Sequence, residues 1–308
     1  MHRTETVTAS PFRPPLTFLD LPLSTAFGRG DIAVVGLPFD CGNDATRFGA
    51  RLGPNAVRQA SILTAALMED AEPNPLAGRR VVDAGNVDLP LSDIHGAFAA
   101  IERALDAVLD AGATPLTLGG DGAVSLPVLR ALGRRHPGLA VLHLDAHTDA
   151  WPLRGNDHFD NSNQFTHALN EGLIDVTHSL HVGTRGPVNA TKAIRHAETL
   201  GYEVIPFDTV RAWGEERLLA HLHARLSGRP LYLCFDMDVF DPSVAPGVAT
   251  PTPGGLLPAD GIALLRGLKG LDIVCADINT PTPIHDPSGA TAGLAAAVAA
   301  ECLALLRA

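Results

Sequence analysis

In the stretch Val141-Leu-His-Leu-Asp-Ala-His-Thr-Asp149 an apolar run leads directly into a group of polar side chains. The run predicts a buried strand, and residues two apart on an extended strand point to the same side. We therefore expect Asp145, His147 and Asp149 to lie together at the carboxyl end of that strand.

A second stretch, Leu231-Tyr-Leu-Cys-Phe-Asp-Met-Asp238, repeats this design with Asp236 and Asp238 after another apolar run. Aspartates packed at two strand ends would repel one another in a low-dielectric interior unless cations neutralised them. A single Asp-x-Asp often only ends a strand and caps the next turn. Because two such ends occur, one of them with an interposed His, a metal site is the better interpretation.

Length and charge limit the possible functions. The chain has 308 residues, of which 46% are hydrophobic, so it can bury a sizeable core. Its formal net charge of −11 argues against nucleic acid or an anionic membrane surface as a partner, since both require a basic surface. No apolar run of about eighteen residues predicts a membrane span, and the N-terminus lacks a secretory hydrophobic segment. A cytoplasmic location is expected, with Cys41, Cys234, Cys275 and Cys302 as free thiols.

Apolar β runs alternate with amphipathic helical patterns over residues 31–308, which predicts a parallel sheet covered on both faces. Ser92 is expected to open a long helix through Ala111, with Gly112 as its C-cap. The polar motifs follow strands, where α/β sheets build their sites. We predict one domain over 31–308, preceded by an irregular arm over residues 1–30 that lies on the body or on a neighbouring subunit.

Several segments resemble motifs of the ureohydrolase family, which includes arginase, agmatinase, guanidinobutyrase and formiminoglutamase. They are Gly49-Ala-Arg-Leu-Gly-Pro-Asn-Ala-Val-Arg58, Gly119-Gly-Asp121, Asp145-Ala-His-Thr-Asp149, Phe235-Asp-Met-Asp-Val-Phe-Asp-Pro242 and Ala245-Pro-Gly-Val-Ala-Thr-Pro-Thr-Pro-Gly-Gly255. The resemblance extends over nearly the whole chain. It implies a three-layer α/β/α fold with about eight mainly parallel strands, assembled as a homo-oligomer, a trimer or a hexamer.

In that family two Mn²⁺ ions share a bridging hydroxide, and the motifs imply their ligands here. One ion, ion B, would be bound by Asp145, His147, Asp236 and Asp238. The other, ion A, would be bound by Asp145, Asp149, Asp236 and a His that follows Gly-Gly-Asp. Gly122 occupies that His position, so ion A loses its nitrogen ligand. Asp121 is expected to fix the loop, and His143 is expected to be an interior residue that binds no metal.

Charge bears on whether two ions bind or one. The aspartates Asp145, Asp149, Asp236 and Asp238 sum to −4, which two divalent cations balance. One cation would leave about −2 in a buried place. We therefore expect ion A to bind with water in place of the missing His, and an oxygen-only site suits Mn²⁺ or Mg²⁺. The alternative is one ion at site B, which would resemble the Asp/His/Asp site of the histone deacetylase fold.

The substrate side departs from the family pattern at further positions. The family places a proton-shuttling His in a His-Gly-x-x-Phe segment, where this chain has Asn161. Asn cannot exchange protons near neutral pH, and His158 or His167 could substitute if the loop folds inward. The family's guanidinium-binding Glu corresponds to Asp277, which is one methylene shorter and is expected to orient the cationic end of the substrate. Thr252 stands where agmatinase-like members often have Glu.

We therefore predict a metal-dependent hydrolase of a C–N bond in a cationic guanidino, amidino or related amide compound. A divalent ion lowers the pKa of bound water and so provides a nucleophile near neutral pH, and a guanidine substrate would release urea. The loop Pro246–Gly255 favours an agmatinase-like member. Gly122, Asn161 and Asp277 leave open a catalytically impaired subunit with a structural or regulatory role. A single-metal, deacetylase-like amidohydrolase is a further alternative.

Overall fold

The computed structural model describes residues 15–40, 47–69, 76, 78–90, 92–155, 158–186 and 191–307. Its strands are β1 (Ile32–Gly36), β2 (Val81–Asn86), β3 (Thr114–Leu118), β4 (Ala140–Leu144), β5 (Leu180–Thr184), β6 (Glu203–Pro206), β7 (Pro230–Asp236) and β8 (Asp272–Asn279). They form one 8-stranded sheet in the order β2-β1-β3-β8-β7-β4-β5-β6. Every neighbouring pair in this sheet is parallel.

The helices cover both faces of this sheet. They are α1 (Gly53–Glu69), α2 (Ile94–Asp110), α3 (Ser125–Gly133), α4 (Gln164–Asn170), α5 (Thr191–Leu200), α6 (Phe207–Leu226), α7 (Pro258–Gly267) and α8 (Ala290–Leu305). Helix α6 is kinked at Gly214, whose φ is 70°. No helix within the described ranges combines the length and the apolar character that crossing a bilayer requires.

Two hydrophobic cores lie on opposite faces of the sheet. In β1, Ile32 and Val34 belong to one core and Ala33 and Val35 to the other, as the alternation of side chains along a strand requires. Helices α1, α6, α7 and α8 contribute to the first core, and α2, α3, α4 and α5 contribute to the second. The predicted three-layer α/β/α fold is confirmed.

The predicted long helix is observed as α2, with one difference at its start. Asp93, not Ser92, is the N-cap, and its carboxylate accepts a hydrogen bond of 2.9 Å from the Gly96 amide. At the other end the C-cap is Ala111, not the predicted Gly112; Gly112 follows it with a φ of 76°, the left-handed conformation common just after a helix.

The described part of the N-terminal arm lies on the body of the domain. Phe18 is fully buried, and the Leu19 amide donates a 2.7 Å hydrogen bond to Ser61 Oγ on α1. The Phe18 amide donates to Asp83, which also forms a buried ion pair of 2.7 Å with Arg58. Residues 1–14 of the arm lie outside the described residues, as does Cys41; the other three cysteines are buried free thiols.

The sheet brings the two polar motifs together. Strands β4 and β7 are neighbours, with Leu144 paired to Phe235 at their carboxyl ends. Strand β8 lies on the other side of β7, with Asn279 paired to Asp236. The loops after these three central strands therefore meet at one edge of the sheet, which is where parallel α/β sheets bind ligands.

Candidate metal centre

The first motif lies in a loop and not on the strand itself. Strand β4 ends at Leu144, so the predicted strand alternation does not extend through Asp145, His147 and Asp149. The loop brings these side chains together in another way: the Ala146 amide donates a 3.0 Å hydrogen bond to Asp238 Oδ1. Asp149 takes a left-handed backbone conformation with φ of 47°, which Asp tolerates better than most residues.

Two of the aspartates also cap the turns that carry them. The His147 amide donates to Asp145 Oδ1 at 2.5 Å, and the Asp238 amide donates to Asp236 Oδ1 at 2.7 Å. The turn-capping role that competed with metal binding is therefore present as well. One carboxylate oxygen can cap the turn while the other remains available for a cation.

His147 lies at the centre of the first ligand group. Its Nδ1 is 3.2 Å from Asp145 Oδ1 and 3.0 Å from Asp238 Oδ2. Asp145, His147 and Asp238 each offer a ligand atom within 4.8 Å of the others. The opposite ring nitrogen, Nε2, lies 3.3 Å from Thr252 Oγ1, so the hydroxyl can hold the imidazole orientation. This group matches the ligands predicted for ion B, except Asp236.

A second group with the same spacing consists of His143, Asp145 and Asp149. It contains two of the predicted ion A ligands. His143 Nδ1 faces His181 Nδ1 at 3.0 Å, so this His is an interior residue with a partner. Its Nε2 approaches Asp145 Oδ2 to 2.9 Å. The expectation that His143 binds no metal stays a prediction.

Burial and mutual repulsion determine the protonation of this cluster. Burial, followed by the neighbouring carboxylates, raises the pKa of Asp149 and of Asp236 well above the ordinary value, and raises that of Asp238. For Asp145 burial acts in the same direction, but the adjacent His143 and His147 lower its pKa. Burial lowers the pKa of His147, whereas Asp238 and Asp145 raise it, and the net shift is upward.

These observations fit a divalent cation. Burial and the neighbouring carboxylates raise the pKa of Asp149 and Asp236, and a divalent cation would offset both effects by stabilising the ionised carboxylates. The donor set is carboxylate oxygens and one imidazole, which are ligands for Mn²⁺ and similar hard or borderline ions. Asp145, His147, Asp149, Asp236 and Asp238 would hold such ions.

Asp121 lies in the loop before α3, close to a residue that the sequence analysis missed. Asp121 accepts a 3.1 Å hydrogen bond from the Ala123 amide, so it fixes the loop as expected. Gly122 adds no ligand. Gln164 lies nearby instead, and its Nε2 donates a 2.6 Å hydrogen bond to Asp149 Oδ2. The sequence offered one indication of Gln164: it lies in the same segment as Asn161, the expected catalytic position.

A cavity of about 250 Å³ opens above the carboxylates. It is lined by His147, Asp149, Trp151, Arg154, Asn161, Ser162, Asp236, Asp238, Ala249, Thr250 and Thr280. Asn161 thus lines the cavity, and its correspondence to the family's catalytic His stays a prediction. Thr280, which the sequence analysis did not single out, donates a 2.5 Å hydrogen bond to Asp236 Oδ1. Its φ of 70° is unusual for a β-branched residue.

Asp277 is not in this cavity. Its side chain is fully buried and accepts hydrogen bonds from Thr117 Oγ1 at 2.6 Å, Tyr232 OH at 2.7 Å and Ser125 Oγ at 3.1 Å. Asn279 Nδ2 lies 3.4 Å from the same carboxylate. The expectation that Asp277 orients the substrate disagrees with this position, because interior donors already occupy the carboxylate.

His158 and His167 do not reach the cavity either. The His158 side chain is 42% exposed and pairs with Asp160 Oδ2 at 2.9 Å. His167 is buried in α4, with Nε2 3.1 Å from the His158 carbonyl oxygen and its ring against Phe159. Neither ring lines the cavity that contains Asn161. The expectation that His158 or His167 takes the place of the family's proton-shuttling His therefore disagrees with the structure.

Known proteins resemble this chain over nearly its whole length. The profile of the arginase family matches residues 30–305. The human mitochondrial guanidino acid hydrolase is 31% identical over 290 residues, which is 94% of this chain and 82% of that protein. A guanidinopropionase from Pseudomonas aeruginosa is 36% identical over 296 residues, 94% of this chain and 91% of its own length.

A solved structure agrees with the fold as well. Proclavaminate amidino hydrolase from Streptomyces clavuligerus superposes with a TM-score of 0.87 at 33% identity, covering 96% of this chain and 97% of that one. The resemblance to ureohydrolases that the motifs indicated is thereby confirmed. The chain belongs to the arginase family.

Proposed function

We propose that this protein hydrolyses the guanidino group of a small guanidino acid and releases urea, using two divalent cations, with Mn²⁺ as the expected metal. The observation that carries the proposal is the convergence of Asp145, His147, Asp149, Asp236 and Asp238 beside a cavity of about 250 Å³. The relatives that are named guanidino acid hydrolase and guanidinopropionase support the substrate class.

The residues of the cavity have distinct tasks in this proposal. Bound divalent cations supply a water of lowered pKa as the nucleophile. Thr252 holds the outer nitrogen of His147, and Thr280 holds one oxygen of Asp236, so both ligands are oriented before substrate arrives. Asn161 can donate a hydrogen bond to the substrate but cannot accept and return a proton near neutral pH.

Arg154 and Trp151 favour a substrate that carries a carboxylate. Arg154 is an exposed guanidinium at the cavity wall, and Trp151 offers an apolar surface beside it. A guanidino acid can place its guanidinium near the carboxylate cluster, its methylenes on Trp151 and its carboxylate on Arg154, with two parallel hydrogen bonds. Agmatine would bring an ammonium group to the same arginine, and like charges repel. This favours a guanidino acid over the agmatinase-like substrate class that the sequence suggested.

The test is urea release from the Mn²⁺-loaded protein with 3-guanidinopropionate, 4-guanidinobutyrate, arginine and agmatine. We expect a guanidino acid to have the highest kcat/KM. Arg154→Gln should lower kcat/KM for that acid about tenfold, chiefly through KM, because it removes a charged hydrogen-bond donor. The matched control is Arg103→Gln, which removes an exposed arginine from α2, outside the cavity.

The outcomes separate the alternatives. Preference for agmatine, undiminished by Arg154→Gln, would overturn the guanidino acid assignment. Absence of urea from every compound would overturn the hydrolase proposal and favour the catalytically impaired subunit. Assembly as a trimer or hexamer and a cytoplasmic location remain predictions; light scattering of the purified protein tests the first, and cell fractionation tests the second.

A further inference from the structure

Gln164 occupies the space that a side chain on residue 122 would need. A Cβ atom on Gly122 would lie 2.9 Å from Gln164 Nε2 and 3.2 Å from Asp149 Oδ2. The first separation is shorter than real Cβ contacts, and the atom that the Cβ would meet is the far end of the Gln164 side chain. Residue 122 can therefore carry a side chain only if the Gln164 amide moves. The absence of a side chain on Gly122 thus leaves room for the long polar side chain of Gln164.

The Gln164 side chain is a buried amide whose nitrogen has a hydrogen-bond partner and whose oxygen has none among the described residues. It is 1% exposed, and its Nε2 donates a 2.6 Å hydrogen bond to Asp149 Oδ2. Its Oε1 is buried and has no hydrogen-bond partner among the residues that the structure describes. Buried amide oxygens are nearly always paired, so this oxygen indicates a missing partner. A hydrogen-bond donor or a cation would satisfy it.

A second contact fixes the helix that carries this amide. The Phe165 amide, one residue further along α4, donates a 3.1 Å hydrogen bond to the Asp149 carbonyl oxygen. Asp149 is thus held by backbone and side chain from the same helix. The carboxamide of Gln164 therefore already contacts the carboxylate that would bind a cation.

We propose that Gln164 replaces the imidazole that residue 122 lacks: its amide positions Asp149 and its carbonyl oxygen serves as a ligand for the divalent cation bound there. This rests on the proposed function only in requiring that the aspartate cluster binds divalent cations. Gln and neutral His carry the same charge, so two divalent cations still balance the four aspartates. Amide oxygen suits Mn²⁺ and Mg²⁺, whereas imidazole also suits Zn²⁺. The exchange should therefore weaken the preference of this position for Zn²⁺ relative to Mn²⁺.

The first test measures Mn²⁺ binding by calorimetry and by elemental analysis after desalting. We expect two ions per wild-type chain. Gln164→Leu keeps the size of the side chain but removes its polar atoms, and it should weaken the second ion by about tenfold to a hundredfold while the first is unchanged. Asn170→Ala, on the exposed end of the same helix, is the matched control and should bind as wild type. Two ions bound with unchanged affinity in Gln164→Leu would overturn the proposal.

The second test exchanges the two side chains and has a metal preference as its readout. Gly122→His alone should not strengthen Zn²⁺ binding, because Gln164 fills the required space. Gly122→His combined with Gln164→Ala should increase the Zn²⁺ affinity relative to Mn²⁺ by about tenfold or more. A single Gly122→His variant that binds Zn²⁺ as tightly as the double variant would overturn the proposed exclusion. Circular dichroism of each variant establishes that it is folded.

These readouts are independent of turnover. Wild-type protein that binds two ions and releases no urea would overturn the proposed function and leave the role of Gln164 standing. Wild-type protein that binds one ion or none, in the same amount as Gln164→Leu, would overturn the role of Gln164 whatever the activity.

Discussion

Tyr232→Phe tests whether the buried Asp277 stabilises the fold and does not contact the substrate. The substitution deletes one hydroxyl, which donates a 2.7 Å hydrogen bond to Asp277 Oδ2 where both side chains are fully buried. A buried hydrogen bond to a charged acceptor contributes about 1.5–3 kcal/mol. Ser125 remains as a donor to the same oxygen, so the carboxylate is not left unpaired and we expect a loss of about 2 kcal/mol.

The assay is urea-induced unfolding at fixed protein concentration. A loss of about 2 kcal/mol is roughly a thirtyfold change in the folded-to-unfolded ratio, and with an m value of about 3 kcal/mol/M it lowers the midpoint by about 0.7 M. Tyr202→Phe is the matched control. Its hydroxyl donates a 2.7 Å hydrogen bond to a neutral acceptor, the Phe165 carbonyl oxygen, so its loss should cost about 1 kcal/mol.

The KM of Tyr232→Phe for guanidino acids tests whether Asp277 contacts the substrate. If Asp277 does not contact the substrate, Tyr232→Phe leaves the KM for guanidino acids unchanged at temperatures where the variant is folded. A severalfold rise in KM with no change in the unfolding midpoint would refute the reasoning, since it would mean that the Tyr232 hydroxyl orients Asp277 toward substrate.

Three further predictions concern pH, metal removal and packing. Burial raises the pKa of Asp277 above its ordinary value of 3.8, so the folded state holds this proton more tightly than the unfolded state. Wild type should therefore lose stability relative to Asp277→Asn as pH rises above 3.8. A difference in unfolding free energy that does not depend on pH would contradict this. Removing divalent cations with a chelator should lower the melting temperature, and Mn²⁺ at a hundred times its Kd should restore about 2.7 kcal/mol per site, as measured by calorimetry; a melting temperature indifferent to Mn²⁺ would refute the metal centre. Gly120→Ala should destabilise the fold by about 1–3 kcal/mol because its Cβ would lie 1.8 Å from the Phe39 carbonyl oxygen, whereas Gly293→Ala in α8, with no atom within 4 Å, should be neutral or stabilising in the same denaturation assay.

The sequence predicted the parts of the site that follow directly from strands. Asp145 and Asp236 come immediately after apolar runs or end them, so chain connectivity alone places them at the carboxyl edge of the sheet. The alternation rule explained less than expected, because β4 ends before Asp145. The convergence of this motif depends on loop hydrogen bonds and on the left-handed conformation of Asp149, and neither has a periodic signature.

The misplaced residues have two physical causes. Strand β8 is buried on both faces, so its apolar pattern does not reveal which face carries Asp277. The roles of His158, His167 and Gln164 depend on the path of the segment between Asp149 and α4, which has no regular pattern. The same uncertainty hid the contact between Gln164 and Asp149, two residues that tertiary structure brings to 2.6 Å.

The hydrogen bond between the Ala146 amide and Asp238 joins residues 92 positions apart in the chain. The ligand cluster therefore closes a long loop, whose entropy must be lost before any contact between the two motifs is gained. We expect the aspartates to meet only after β4 and β7 have paired, so that cations would find few ligands in the folding transition state. Bound metal would then slow unfolding and prolong the lifetime of the native state, while the topology of the sheet would set the rate of folding.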